Sequence, residues 1–225
     1  MVDFYVVPTP LGNPEDITLR AIRILKDADF VVCEHHKEYV HLALALNLPV
    51  KEWVECTRSR EHECLDFVLE QITAGKVGTL VSDCGSPLFE DPGFYLIRQL
   101  QKRVDVNLVS LPGANSLITA LPLSHFEVKY FYFAGFISQK KERREQELKA
   151  LLKRKEVVIL LETPYRLWNI VELLKLHAKN RQIVIPFDLT MPTEKVYRGK
   201  PDEIASLLKS DGIEKGEFLI IIQGS

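Results

Sequence analysis

Short apolar runs alternate along this chain with longer stretches whose apolar residues recur at helical spacing. Phe4-Tyr5-Val6-Val7 reads as a first strand. It runs into Pro8-Thr9-Pro10-Leu11-Gly12-Asn13-Pro14, where three prolines and a glycine make a rigid, exposed loop. Asp16 or Thr18 can cap the next helix, in which Leu19, Ile22 and Leu25 share a face opposite Arg20, Arg23 and Lys26. Asp29-Phe30-Val31-Val32-Cys33 is a second strand, ending at Glu34. Strand, loop, helix and strand form a βαβ unit and imply a parallel pair. The pattern weakens from His36 to Ala74, with helices expected over 40–46 and 64–72. The polar run Thr57-Arg58-Ser59-Arg60-Glu61-His62 between them reads as the solvated start of a helix rather than as a mobile flap near a site.

Val77-Gly78-Thr79-Leu80-Val81 is a buried strand that opens into Ser82-Asp83-Cys84-Gly85-Ser86-Pro87, with Asp91-Pro92-Gly93 soon after. Gly85 lets the backbone approach a ligand closely, and Pro87 stiffens the exit. A helix begins near Gly93. The strand Val106 to Leu111 then ends at Pro112-Gly113-Ala114-Asn115-Ser116, and a helix follows from Ser116 to Leu121. Three strands thus exit into turns of small residues and proline. In a parallel sheet those exits share one edge, where open α/β sheets bind ligands.

Beyond Leu121 the pattern restarts. Tyr130-Phe131-Tyr132-Phe133 is an aromatic strand ending at Ala134-Gly135-Phe136, and Lys140 to Lys155 a charged helix. Val157 to Leu161 is a strand that ends at Glu162-Thr163-Pro164-Tyr165-Arg166. An amphipathic helix over 167–177, a strand over 182–189, a short edge strand at 196–198, a helix over 201–208 and a last strand over 217–222 complete the pattern. Pro122, Ser124 and His125 interrupt it, which places a boundary between an N-terminal α/β domain, 1–121, and a C-terminal one, 122–225. The expected fold is α/β: a mainly parallel, Rossmann-like sheet first, a mixed sheet second, and an active site in the cleft between the domains.

At 225 residues and 46% apolar content the chain can build a real core. No apolar run is long enough to span a membrane, and the first residues lack a signal-peptide pattern. A net charge of −2 leaves nucleic acid open as a partner, to be decided by local patches. Cys33, Cys56, Cys64 and Cys84 contain no C-x-x-C pair and read as reduced thiols in a cytoplasmic protein. His35 and His36 are adjacent, and neighbours on a strand face opposite ways, so a polar loop is preferred to a metal site; no metal is expected.

Six motifs occur in order: Val7-Pro8-Thr9-Pro10-Leu11-Gly12-Asn13 with Asp16 to Ala21; Ser82 to Pro87 with Asp91-Pro92-Gly93; Leu111 to Ser116; Ala134-Gly135-Phe136; Glu162 to Arg166; and Gly216-Glu217-Phe218. Over essentially its whole length the chain resembles the tetrapyrrole methylase superfamily, the class III S-adenosylmethionine-dependent methyltransferases. Within it the chain is most similar to the ribosomal small-subunit methyltransferase I branch, which methylates a cytidine ribose 2′-hydroxyl. Two features depart from that branch. Where it usually continues Asp-Thr-Arg after Cys-Glu, this chain has His35-His36-Lys37. The branch also carries a small helical extension after its last strand, whereas this sequence stops at Ser225, so RNA contacts from such an extension are not expected.

The resemblance implies S-adenosylmethionine as cofactor, with Pro10, Leu11, Gly12, Asp83, Gly85, Ser86, Phe89, Ser116, Leu117, Leu161 and Glu162 in its binding site. A dinucleotide is a poor alternative, because the first loop has no G-x-G-x-x-G. A ribose hydroxyl is a weak nucleophile, so a general base would help. Glu34, Glu162 and Asp83 stand at strand ends; Glu34 and Glu162 are the catalytic candidates, while Asp83 is better explained by bonds to its own turn. Lys37, Arg166, Lys195 and Arg198 are candidates for holding phosphate or carboxylate. Lys140, Lys141, Arg143 and Arg144 form the densest basic stretch and are the expected RNA contacts. The partners implied are ribosomal RNA or the small subunit and a second copy in a homodimer. A small tetrapyrrole acceptor, or a cofactor-binding protein impaired in catalysis, are the alternative functions.

Overall fold

In the computed structural model, which describes residues 1–225, the chain forms two compact units, Met1–Asn115 and Ser116–Ser225. The first is built on strands β1 (Val2–Val7), β2 (Phe30–Cys33), β3 (Glu52–Glu55), β4 (Gly78–Val81) and β5 (Val106–Ser110). They pair in the order β3-β2-β4-β1-β5, and every pairing is parallel. All the carboxyl ends therefore lie on one edge, as the three small-residue turns require.

Helices cover both faces of this sheet. On one side α3 (Glu61–Thr73) and α4 (Phe94–Arg103) bury Leu65, Val68, Leu96 and Leu100 against Phe4, Phe30 and Leu80. On the other, α1 (Leu19–Asp27) and α2 (His36–Ala45) bury Ala21, Leu25, Tyr39 and Ala43 against Val7, Val31 and Val81. Both faces being covered explains why every residue of β2 and β4 is buried, without alternation. Of the two expected caps for α1 it is Thr18 that serves, its hydroxyl accepting from the Ala21 amide at 3.1 Å. Leu19 is not on the buried face as its spacing suggests; it is 85% exposed.

In the second unit, β6 (Phe131–Phe136), β7 (Val157–Glu162), β8 (Ile183–Phe187), β9 (Lys195–Gly199) and β10 (Phe218–Ile222) pair in the order β6-β7-β10-β8-β9. Only β6 and β7 run parallel, so the sheet is mixed. A bulge between Phe133 and Gly135 lengthens β6 beyond the aromatic run, with Gly135 at φ +61°. The helices α6 (Lys141–Leu151), α7 (Leu167–His177) and α8 (Pro201–Ser210) cover one face.

The other face is covered partly by α5 (Ser116–Ala120), whose Leu117 and Ala120 pack with Val157, Ile159, Val184 and Ile221. That packing draws 116–121 into the second unit, although the sequence pattern groups it with the first. The charged helix is also shorter than its composition suggests. It closes at Leu151, and Lys153 and Arg154 turn back onto the carbonyls of Ala150 and Leu151.

Candidate functional site

The three proline-bearing turns interlock on the carboxyl edge of the first sheet. Thr9, after β1, and Gly85, after β4, form a two-way bridge: the Thr9 amide donates to the Gly85 carbonyl at 2.9 Å, and the Gly85 amide to the Thr9 carbonyl at 3.1 Å. The Thr9 hydroxyl donates to the Ser82 carbonyl at 3.1 Å, and the Ser82 hydroxyl to the Gly85 carbonyl at 3.0 Å. The Cys84 thiol reaches the Leu11 carbonyl at 3.2 Å. The Ser86 hydroxyl donates to the Ala114 carbonyl at 2.9 Å and joins the turn after β5. A Cβ on Gly113 would lie 2.6 Å from Pro8 Cβ, so the first and third turns touch as well. This cross-bonding makes one rigid platform of loops that are far apart in sequence.

The loop from Ser82 to Gly93 is held in costly backbone geometry. Gly85 and Gly93 have φ of +79° and +113°, and two non-glycine residues, Leu88 and Glu90, also have positive φ, +73° and +72°. Non-glycine residues in this left-handed region each cost about 1–3 kcal/mol and persist where surrounding structure fixes them. The start of α3 does some of that fixing. The Glu61 carboxylate accepts from the Gly93 amide at 3.1 Å, and Arg58 donates to the Glu90 carbonyl at 3.2 Å. The polar run 57–62 is thus the start of a helix that clasps this loop.

Four carboxylates belong to this edge: Glu34 after β2, and Asp83, Glu90 and Asp91 after β4. His35 stands at the N-cap position of α2 and grips Asp83, its amide donating to one oxygen at 3.2 Å and its Nδ1 lying 2.5 Å from the other. That bond raises the His35 pKa. Burial, reinforced by Asp83, raises that of Glu34. Burial and then the charges of Glu34, Asp83 and Glu90 push the Asp91 carboxyl up to about 7. Ligand atoms of Glu34, His35 and Asp83 all lie within 4.8 Å of one another, with His35 and Asp83 bonded to each other. His36 opens α2, stacks on Trp53 with ring centroids 4.8 Å apart, and meets Glu55 at 2.7 Å. The two histidines are therefore helix-start residues with separate carboxylate partners, not neighbours on a strand. Sequence reasoning missed Glu55 and Trp53, and the spacing of β3 gave little to find them by.

In the second unit Glu162 ends β7 and is 4% exposed. One carboxylate oxygen accepts from the Thr163 amide at 2.8 Å and forms an ion pair with Arg166; the other, Oε2, has no hydrogen-bond partner in the chain. Burial raises its pKa, opposed by the Thr163 amide and by Arg166 and Arg144. Arg166 is thus engaged by Glu162.

The basic stretch divides. Arg144 is buried and donates to the Gln139 carbonyl at 3.3 Å, which removes it from the exposed set of phosphate candidates. Arg143 pairs with Glu147 at 2.9 Å, while Lys140 and Lys141 stand exposed at the start of α6. Lys37 is exposed in the first turn of α2. Lys195 pairs with Asp211 at 2.8 Å, and Arg198 donates to the Leu123 carbonyl at 2.9 Å. Cys33, Cys56 and Cys64 are buried and Cys84 is exposed, and none of them forms a disulfide.

The chemistry of the first sheet's edge suits a cationic cofactor with an apolar part. S-adenosylmethionine carries sulfonium and ammonium charges, which a carboxylate-rich edge attracts. Leu11 and the 49% exposed Phe89 supply apolar surface there. Comparison with known proteins agrees with this chemistry. The molecule is an S-adenosylmethionine-dependent methyltransferase. Residues 3–205 match Tetrapyrrole (Corrin/Porphyrin) Methylases, and the chain belongs to that family. It is 35% identical to the Ribosomal RNA small subunit methyltransferase I of Rickettsia prowazekii, with 98% of this chain and 78% of that protein aligned. The protein of the same name from Bacillus subtilis is 34% identical, over 98% of this chain and 75% of the relative. In fold it resembles uroporphyrin-III C-methyltransferase from Thermus thermophilus complexed with S-adenosylhomocysteine: TM-score 0.67, 22% identity, covering 99% of this chain and 97% of that one.

Proposed function

We propose that this methyltransferase acts on small-subunit ribosomal RNA and methylates a cytidine ribose 2′-hydroxyl. The observation that carries the reading is the 35% identity, along nearly the whole chain, to a Ribosomal RNA small subunit methyltransferase I. Pro10, Leu11, Gly12, Asp83, Gly85, Ser86 and Phe89 would hold the cofactor on the interlocked turns. Roles for Ser116, Leu117, Leu161 and Glu162 rest on the family resemblance. The cofactor supplies an electrophilic methyl group. The protein's task is to align a hydroxyl opposite the sulfur and relieve it of its proton. Glu34 suits the second task, because its raised pKa makes it a better base than an ordinary surface carboxylate. Glu162 is committed to Arg166 and the Thr163 amide, which suits a fixed anchor.

Lys140 and Lys141 are the proposed phosphate contacts, with Lys37 a further candidate. No helix is long and apolar enough to cross a membrane. Action in the cytoplasm and assembly as a homodimer complete the reading. Transfer of label from methyl-labelled S-adenosylmethionine tests it, using small ribosomal subunits that lack the modification and, in parallel, a uroporphyrinogen. Label in the RNA alone is the expected result. Label in the tetrapyrrole alone would leave the family assignment standing and remove the RNA reading.

A further inference from the structure

We propose that the start of β6 and the groove beside it form a binding surface for single-stranded RNA, separate from the chemistry at the sheet's other end. The inference rests on RNA being the acceptor. Tyr130, immediately before β6, is 67% exposed, and Tyr132, within it, is 39% exposed. Each ring has a cation over it: Lys129 Nζ lies 5.4 Å from the Tyr130 centroid, and the Arg154 guanidinium carbon 3.7 Å from that of Tyr132. Exposed rings set among cations are what single strands bind, since every base has a face to stack and every linkage a phosphate.

Next to Tyr130 is a groove of about 470 Å³, whose lining includes Phe126, Lys129, Lys155, Glu156 and Gln223. That volume lies in the range of small-ligand pockets. Phe126 and Tyr130 give it an apolar wall. The Gln223 amide can both donate and accept, as recognition of a base edge requires. Lys129, Lys153, Arg154 and Lys155 outnumber Glu127 and Glu156 here, and Glu156 is partly neutralised by Arg154 at 3.5 Å. The turn that closes α6 at Leu151 is what brings Lys153 to Lys155 to this end of β7.

Within the unit, β6 and β7 run parallel, so this surface is at the amino end and Glu162 at the carboxyl end, about 17 Å along the strand. The surface therefore anchors the acceptor and takes no part in the transfer. Losing it should raise KM and leave kcat alone.

The test uses the full chain and the double variant Tyr130→Ala/Lys155→Ala, both residues being exposed. A fluorescent single-stranded oligoribonucleotide of mixed sequence reports binding directly. Steady-state methylation of small subunits gives KM and kcat, and light scattering gives the oligomeric state. The variant should bind the oligonucleotide at least about tenfold more weakly, with a shallower salt dependence. Its KM should rise by a similar factor, with kcat, S-adenosylmethionine affinity and oligomeric state unchanged. Unchanged oligonucleotide binding and KM, in a parent that methylates subunits, would overturn the surface and leave the acceptor reading intact. A parent that methylates no RNA removes the acceptor reading; the surface is then overturned if the parent also fails to bind the oligonucleotide. A change in oligomeric state would mean that the edge of β6 pairs with a second copy, and would overturn it too.

Discussion

Gly85 joins a backbone requirement to a proposed ligand contact. Its φ of +79° suits glycine, and a Cβ there would lie 3.0 Å from Leu11 Cδ2. A side chain would strain the turn and push Leu11, a proposed cofactor contact, so Gly85→Val should weaken S-adenosylmethionine binding at least about tenfold in calorimetry while the chain still folds. An unchanged dissociation constant would detach this turn from the cofactor. The sequence shows that a glycine is needed at this point. It does not show that the need comes from Leu11 and from the Thr9 bridge, because those partners are set by the pairing of β1 with β4. The same holds for His35 and Asp83, which are brought together across 48 residues. Asp91 gives a second measurable consequence. Its carboxyl titrates at about 7 in the folded chain against an ordinary 3.8. Between those values the folded chain keeps a proton that the unfolded chain releases, so its contribution to stability falls as pH rises through that window. His35 and Glu34, both shifted upward, act in the same direction. Denaturant unfolding at about pH 5 and pH 7.5 should show Asp91→Asn losing less stability than the parent on going to the higher pH. Equal losses would contradict the half-buried, charge-crowded setting of this carboxyl.

Among the elements, those with a strong period are legible and those defined by a neighbour are not. The parallel strands of the first unit and the helices α1, α4 and α7 follow from apolar runs and spacing. β3 does not, because Glu52-Trp53-Val54-Glu55 is an edge strand with both glutamates retained, and its strand character comes from pairing with β2. α2 starts at His36, well before its apolar stretch, since its first turn is stabilised by Glu55 and Asp83 from other elements. Within α6, Arg144 resembles its basic neighbours by composition, yet it sits four residues before the fully buried Leu148 and shares its face. That spacing was the available signal. Lys140 and Lys141 remain exposed at the helix start, where positive charge opposes the helix dipole. Lys140→Glu/Lys141→Glu should therefore hold or slightly raise the melting temperature, an acid near this end adding about 0.3–1 kcal/mol. At the same time it should weaken subunit binding and lower the salt slope by about one per lost phosphate contact. Binding equal to the parent's across a salt series would leave these lysines as a solvated helix end.

For the whole molecule, the sequence shows two α/β units, one parallel sheet and one mixed, but not the strand order of either. The order β3-β2-β4-β1-β5 is what sets the turns after β1, β4 and β5 side by side, and so makes a single platform of three separate motifs. The assignment of α5 to the second unit is equally a matter of packing, since its few residues have no period that favours one sheet over the other. The site follows the same rule: residue types and motif order identify the chemistry, while the interlocking of turns and the crowding of Glu34, Asp83, Glu90 and Asp91 belong to the folded chain. The central claim is that this chemistry is directed at an RNA ribose. Mass spectrometry of nucleosides from small-subunit RNA treated with the protein and S-adenosylmethionine tests it most directly. A 2′-O-methylcytidine absent from untreated RNA is the result expected. A methyl group on a base, or no modified nucleoside from subunits that lacked the modification, would contradict it.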